Sequence, residues 1–301
     1  TNFIVNFKDL FRLRKPQSYY DNFFDRTVDM INKYHPDLVY FDDSVLPFWP
    51  INDTGLKVVS HYYNQNMKLH KGNLNAVVFG KKLEAKHKEA IVWDVEKGVP
   101  SECQDKAWQT CSCLGTWHYN RSAYEDNWYK SAETVIHMLI DIVSKNGNLL
   151  LSVPMKGNGT IDDKEEKILE DIAAWMEVNG EGIFDTRPWC IYGEGPSTET
   201  AIPLDGAGFN EGKNAPYTSA DIRFVKKGKY LYAHIMKWPS DGKIQIKSLA
   251  NSPYCKGEIE KVELLGGGKA KFRRTSKGLL IDLPKDKTPN PISLVLKITN
   301  R

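Results

Sequence analysis

No apolar run in this sequence approaches the roughly 20 residues of a membrane-spanning helix, so none of these residues is expected to cross a bilayer as a helix. The opening Thr1-Asn2-Phe3 lacks the charged, apolar and small-residue regions of a cleavable leader, and a targeting segment is expected to have been removed or to lie elsewhere. Charge of one sign is lacking too. The formal net charge is +3 and basic clusters stop at pairs such as Lys81-Lys82 and Lys226-Lys227, which speaks against a nucleic-acid-binding stripe and a polybasic membrane patch. Paired cysteines are also missing. The five, Cys103, Cys111, Cys113, Cys190 and Cys255, are an odd number without a Cys-x-x-Cys, so they spell neither a zinc site nor a disulfide framework. Cys111-Ser112-Cys113 reads as small thiols packed near a strand end rather than a redox couple. No internal repeat or low-complexity tract stands out.

What is present is the composition of a folded chain. With 41% hydrophobic and 26% charged residues, 301 residues suffice for one large domain or two ordinary ones. Sequons at Asn52, Asn120 and Asn158 permit glycosylation without requiring it, and a secreted, periplasmic or lysosomal location is the expectation. The spacing of Tyr20, Phe23, Phe24, Val28 and Ile31 predicts a helix over about 17–34, ended by His35-Pro36. A short apolar run, Leu38-Val39-Tyr40-Phe41, stops at Asp42-Asp43, as buried parallel strands do at a polar rim. The unit recurs with a helix over about 56–70 and a strand at Ala76 to Gly80, then strands at Ala90 to Glu96 and Ala107 to Thr110. A helix over 131–144 leads through Lys145-Asn146-Gly147, with the glycine as left-handed cap, into a strand at Asn148 to Pro154. Asp162-x-x-Glu165 is a capping box that opens a helix reaching Asn179-Gly180.

Strands alternating with helices predict an α/β fold with parallel strands. About five strand candidates result, against the eight strands and about 250 residues of a (β/α)8 barrel, so the first strands are expected to be absent from this chain. From about Pro188 the texture changes to short alternating runs between turns, such as Tyr230 to Ile235 and Ile292 to Leu296, which predicts an antiparallel all-β sandwich. The expected division is residues 1–187 as the later part of a barrel and 188–301 as a β-sandwich. Gly193 to Tyr217 has no periodicity and reads as a long surface loop.

In parallel barrels the functional groups sit where strands end. That rule selects Asp42 and Asp43, Lys81 and Lys82, Glu96, and Gln109-Thr110. Two carboxylates on such a rim are what glycoside hydrolysis requires, one at the anomeric carbon and one protonating the leaving oxygen, and Asp42 with Glu96 is the natural pair. Aromatic residues crowd the same stretches: Tyr40, Phe48, Trp49, Trp93, Trp108, Trp117 and Tyr119. Such rings stack on the apolar faces of sugars. Taken singly, Trp93 and Trp108 read more simply as core.

His35-Pro36-Asp37-Leu38-Val39-Tyr40-Phe41-Asp42 resembles the segment of family 29 α-L-fucosidases that ends in their nucleophile. Ser144-Lys145-Asn146-Gly147-Asn148-Leu149-Leu150-Leu151, continued by Lys156-Gly157-Asn158-Gly159-Thr160-Ile161, resembles that family's signature more closely still. Trp108-Gln109-Thr110, Trp117-His118-Tyr119-Asn120 and Gly182 to Trp189 follow in the family's order. The resemblance implies a retaining double displacement on terminal α-L-fucose, with Asp42 as nucleophile and no metal or organic cofactor. Asp43 stands where the family has a small residue, and strand alternation sends the two aspartates to opposite sides. Glu96 would be the acid/base, with Glu89, Asp94 and Glu102 as competitors. Trp117 would pack on the fucose methyl side, and Tyr40 would replace a tryptophan near the nucleophile. Where many relatives have an arginine this chain offers Lys81 or Lys82, and the family's paired histidines from earlier strands have no counterpart in His61, His70 or His118.

The resemblance also implies a fucosylated glycan as substrate, and the absent strands imply a missing N-terminal barrel half or a companion chain. A lectin-like binder without turnover, and a retaining glycosidase for a related sugar such as a galactoside, are the alternatives. The last differs by one methyl against a hydroxymethyl, a distinction of about 1–3 kcal/mol.

Overall fold

The computed structural model describes residues 15–42, 46–204, 209–251, 257–284 and 290–300. Asp43 lies outside them, as does Cys255. The chain divides between Asp94 and Val95 into two compact units.

In the first unit, helix α1 (Gln17–Tyr34) ends at His35, whose left-handed backbone (φ 46°) lets its N–H reach the Ile31 carbonyl at 3.0 Å before Pro36 turns the chain away. Strand β1 (Leu38–Phe41) follows. Helix α2 (Thr54–Leu69) is entered through Asn52, whose Oδ1 accepts the Thr54 N–H at 2.8 Å. Strand β2 (Val77–Gly80) pairs parallel with β1, Leu38 opposite Val77 and Phe41 opposite Gly80. Strand β3 (Val92–Glu96) pairs parallel with β2 through Phe79–Val92 and Gly80–Trp93. Val39, Val78 and Ile91 meet Ile31, Val58, Val59 and Tyr62 of the helices in one buried cluster, with Phe41 and Trp93 at its margin. Because successive strand residues point to opposite faces, Tyr40 and Asp42 are turned away from that helix layer.

The second unit takes up the chain at the end of β3. Strand β4 (Trp108–Cys113) lies beside it, the Thr110 hydroxyl donating to the Val95 carbonyl at 3.0 Å and the Lys97 N–H to the Cys111 carbonyl at 2.9 Å. A short helix α3 (Arg121–Glu125) is capped by Asn120, and helix α4 (Ala132–Ser144) by Ser131, whose hydroxyl oxygen accepts the Thr134 N–H. Strand β5 (Gly147–Ser152) pairs parallel with β4 from Trp108–Gly147 to Cys113–Ser152. Helix α5 (Asp163–Asn179) begins at the expected cap, Asp162 Oδ1 accepting the Glu165 N–H at 2.8 Å.

The chain then becomes antiparallel. It runs through β6 (Arg187–Glu194), a short α6 (Pro196–Glu199), β7 (Ile222–Lys227), β8 (Tyr230–Ile235), β9 (Lys243–Ile246), β10 (Ile259–Leu264), β11 (Gly268–Lys269), β12 (Lys271–Thr275), β13 (Gly278–Asp282) and β14 (Leu294–Asn300). Six strands form one sheet in the order β11-β10-β14-β8-β7-β6, and three form another in the order β12-β13-β9. Alternate residues of the larger sheet (Phe224, Leu231, Ala233, Leu296) pack with Ile244, Ile246, Leu279 and Ile281 of the smaller, which makes this part a sandwich. The opposite residues (Val225, Tyr232, Val295) pack on Ile136 and Ile140 of α4 and Trp175 of α5.

That second contact explains the division of the chain. The expected boundary lies at 187/188, but α4 and α5 share a core with the sandwich, so both fall in one compact unit that starts at Val95. A polar network ties them further. Asp141 of α4 binds Lys145 (2.9 Å) and Arg223 of β7 (2.6 Å), and all three residues are buried. The Tyr192 ring lies 4.9 Å from the Lys145 ammonium and 5.6 Å from the Arg223 guanidinium carbon.

Two local expectations change. The left-handed residue after α4 is Asn146 (φ 71°), while Gly147 opens β5 because a Cβ there would stand 2.5 Å from the Trp108 indole. The segment read as a loop holds the end of β6 and α6, and its Asn210 is 2% exposed.

Candidate active site

Within the first unit three strand ends bring four polar side chains together. Lys81, the residue after β2, places its ammonium 2.7 Å from Asp42 Oδ1 and 4.0 Å from Asp94 Oδ2. The Tyr40 hydroxyl donates to the same Asp94 oxygen at 2.8 Å. Exposure is graded across the cluster: the Asp94 side chain is wholly buried, Lys81 is 13% exposed and Asp42 is 74% exposed. A buried carboxylate must be paired, and Tyr40 with Lys81 satisfies Asp94 while fixing the ammonium that orients Asp42. Asp42 is thus an accessible carboxylate held at a strand end by a cation with a buried stem, which suits attack on an electrophilic carbon. The Tyr40–Asp94 bond is not legible in the sequence, because its partners lie 54 positions apart and no periodicity links them.

Trp93 points the other way. It flanks the helix-side cluster, with the Lys88 ammonium 3.4 Å from its ring centre, so it does not share a face with Asp42. Among the competing carboxylates, Glu89 is exposed in a 3-10 turn before β3 begins, and Asp94 is occupied by Tyr40 and Lys81.

In the second unit Glu96 is the last residue of β3 and is partly buried, and Glu102 is exposed on the loop that leads to β4. Trp117 stands in the turn beyond β4, 37% exposed, with the Lys97 ammonium 5.0 Å from its ring centre. Trp108 begins β4 instead of ending it. Its indole is 1% exposed, its Nε1 donates to the Lys145 carbonyl at 2.9 Å, and it fills the space left by Gly147. The rim of β4 therefore lies after Cys113, and Gln109 and Thr110 are buried within the strand. His61 pairs with Asn32 on the helices and His70 ends α2. Among the described residues no group of three or more His, Cys, Asp or Glu side chains is arranged to hold a metal ion.

Parallel strands with acidic ends, followed by a β-sandwich, define a chain of the (β/α)-barrel class with an appended β-domain. The α-L-fucosidase family model matches residues 3–181, and the model of the α-L-fucosidase C-terminal domain matches residues 215–299. The chain belongs to the α-L-fucosidase family. It is 24% identical to human tissue α-L-fucosidase over 292 residues, covering 90% of this chain and 53% of that protein. It is 27% identical to rat plasma α-L-fucosidase over 278 residues, covering 85% and 51%. It thus spans about half the length of these relatives. The crystal structure of Thermotoga maritima α-fucosidase in complex with a mechanism-based inhibitor superposes with a TM-score of 0.69 at 24% identity, over 94% of this chain and 57% of that one. α-L-Fucosidase isoenzyme 1 from Paenibacillus thiaminolyticus gives 0.67 at 18%, over 96% and 63%. The fold expectation, a partial barrel followed by an antiparallel β-domain, is met.

Proposed function

We propose that this chain is the later part of a retaining exo-α-L-fucosidase that releases terminal α-L-fucose from glycans. The observation that carries the reading is the cluster of Tyr40, Asp42, Lys81 and Asp94, which presents an oriented, accessible carboxylate at a strand end in a chain of this family. Asp42 attacks the anomeric carbon while Glu96, as the acid, gives its proton to the departing glycosidic oxygen. Glu96 then takes a proton from water, which attacks the same carbon and frees Asp42; two inversions leave the configuration retained. Trp117 offers a half-exposed ring for the apolar side of the sugar. Trp93 and Trp108, assigned by their surroundings to packing, support the strands instead. The reaction as written needs two carboxylates and water.

The domain reading that goes with this is a barrel portion over 1–187 and a β-sandwich over 188–301. The ends of the two family matches support it. The earlier strands of the barrel come from the other half of the protein or from a companion chain. The expected location is secreted, periplasmic or lysosomal; no helix of the described residues is long and apolar enough to cross a membrane.

The test is hydrolysis of an aryl α-L-fucoside by the intact assembly, followed by NMR. Expected is α-L-fucose as first product, loss of turnover in Asp42→Ala, and in Glu96→Ala a loss confined to poor leaving groups and relieved by azide. β-L-Fucose as first product would refute retention. Fucoside binding without release would leave the lectin-like reading standing, and preference for a galactoside would shift the sugar.

A further inference from the structure

The segment between α6 and β7 is hooked onto the strand end that carries Glu96, and one residue makes most of the connection. The Glu211 N–H donates to the carbonyl of Lys97, the residue after Glu96, at 2.9 Å. Its carboxylate accepts the Ser112 hydroxyl of β4 on Oε2 at 2.5 Å and pairs with the Lys130 ammonium through Oε1 at 2.8 Å. Lys130 in turn donates to the Cys113 carbonyl at 2.7 Å. Next to it, the buried Asn210 closes a second loop on the same stretch: its Oδ1 accepts the Val99 N–H and its Nδ2 donates to the Val99 carbonyl, both at 2.9 Å.

Lys97 itself needs holding. It sits at φ 46°, a left-handed conformation that side chains other than glycine rarely adopt, and its ammonium reaches over Trp117. The backbone at 97 sets where the Glu96 carboxyl can go. The Lys97 N–H is held by β4 and the Lys97 carbonyl by Glu211, so both polar groups of that residue are clamped.

We propose that Glu211 is a positioning residue for the fucosidase reaction, acting through Lys97 on the acid/base Glu96; the proposal rests on the reading of Glu96 given above. Glu211 does not touch the sugar. It fixes the strand end so that the Glu96 carboxyl stays within the 2.6–3.2 Å reach that proton transfer demands, where a displacement of about 1 Å costs on the order of 100-fold. Proton donation matters most when the leaving group is poor, so the loss should follow leaving-group quality.

The experiment compares Glu211→Ala, Glu211→Gln and Glu96→Ala in the intact assembly, on fucosides of good and poor leaving groups. Expected for Glu211→Ala is a fall in kcat of about 10- to 100-fold on poor leaving groups, with KM nearly unchanged and a much smaller loss on activated aryl fucosides. Glu211→Gln keeps an acceptor for Ser112 and should recover part of that loss. Equal losses on both substrate classes, or unchanged kcat in both Glu211 variants, would overturn the proposal and leave Glu211 a structural link. If Glu211→Ala does not fold, the graded loss is read from Glu211→Gln and Ser112→Ala. If Glu96→Ala itself shows no leaving-group dependence, the acid/base reading fails and this proposal falls with it. Dependence in Glu96→Ala but not in the Glu211 variants sinks the positioning role alone.

Discussion

Replacing Asp141 by asparagine removes the one anion from a buried site that also holds two cations. Burial by itself would raise the Asp141 carboxyl, but Lys145 and Arg223 outweigh it and hold the group below its ordinary range. The amide would leave the Lys145 ammonium and the Arg223 guanidinium, 3% and 2% exposed, without a counter-charge between them, with the Tyr192 and Tyr217 rings, the Ser197 hydroxyl and the Ile222 carbonyl as neutral neighbours. Breaking a buried pair by removing one partner costs about 3–5 kcal/mol. For a unit of this size about 2–4 °C of Tm goes with each kcal/mol, so a drop of about 6–20 °C is expected at pH 7. The sign with pH follows from the depressed carboxyl: the network stabilises above the unfolded-state aspartate value and loses that contribution as pH falls through the folded one, so the penalty should shrink in acid. Thermal melts of parent and Asp141→Asn followed by circular dichroism measure it. A neutral-pH loss under about 1 kcal/mol would refute the reasoning, because the cations would then have found water or another partner.

Gly147→Ala should destabilise the second unit by about 1–3 kcal/mol, since the new methyl would stand 2.5 Å from the Trp108 ring and 2.8 Å from Ile142, and a denaturant midpoint that does not fall would show the indole free to move. Glu165 is 1% exposed, and burial first, then the nearby Asp162 carboxylate, push it up from 4.5 to about 7. A raised carboxyl favours the folded state when protonated, so that stability is full below the unfolded value and is lost as pH rises through about 7. Glu165→Gln should therefore raise Tm at pH 8 and leave it unchanged near pH 4.5; a parallel shift at both would assign the effect to packing.

Elements with a clear period were legible in the sequence. The helix at 17–34, the strand at Leu38–Phe41 and the Asp162 cap all stand where spacing and cap chemistry put them. β4 was read short because its continuation, Cys111-Ser112-Cys113, alternates nothing: all six residues of the strand are buried, polar ones included, and their hydroxyl and thiol groups are satisfied by neighbouring backbone and by Glu211. That error also moved Trp108 to the wrong end of its strand. Asp42 was legible as a polar stop after an apolar run. Lys81 was visible only as a lysine after a strand, and its ion pairs with Asp42 and Asp94 needed coordinates. Asn210 and Glu211 were invisible, because a segment anchored by an amide and a carboxylate has no hydropathic signature.

The six-stranded sheet has a further implication for how the chain matures. β14 joins β8 to β10, yet in the chain it follows both. Until residues 294–300 have left the ribosome, the sheet can exist only as two disconnected ribbons, β6-β7-β8 and β10-β11, each with a bare edge where its central neighbour belongs. Such edges invite pairing with other nascent chains. Completion of this sheet therefore waits for β14, and truncation ahead of residue 294 would remove the keystone and not merely a margin.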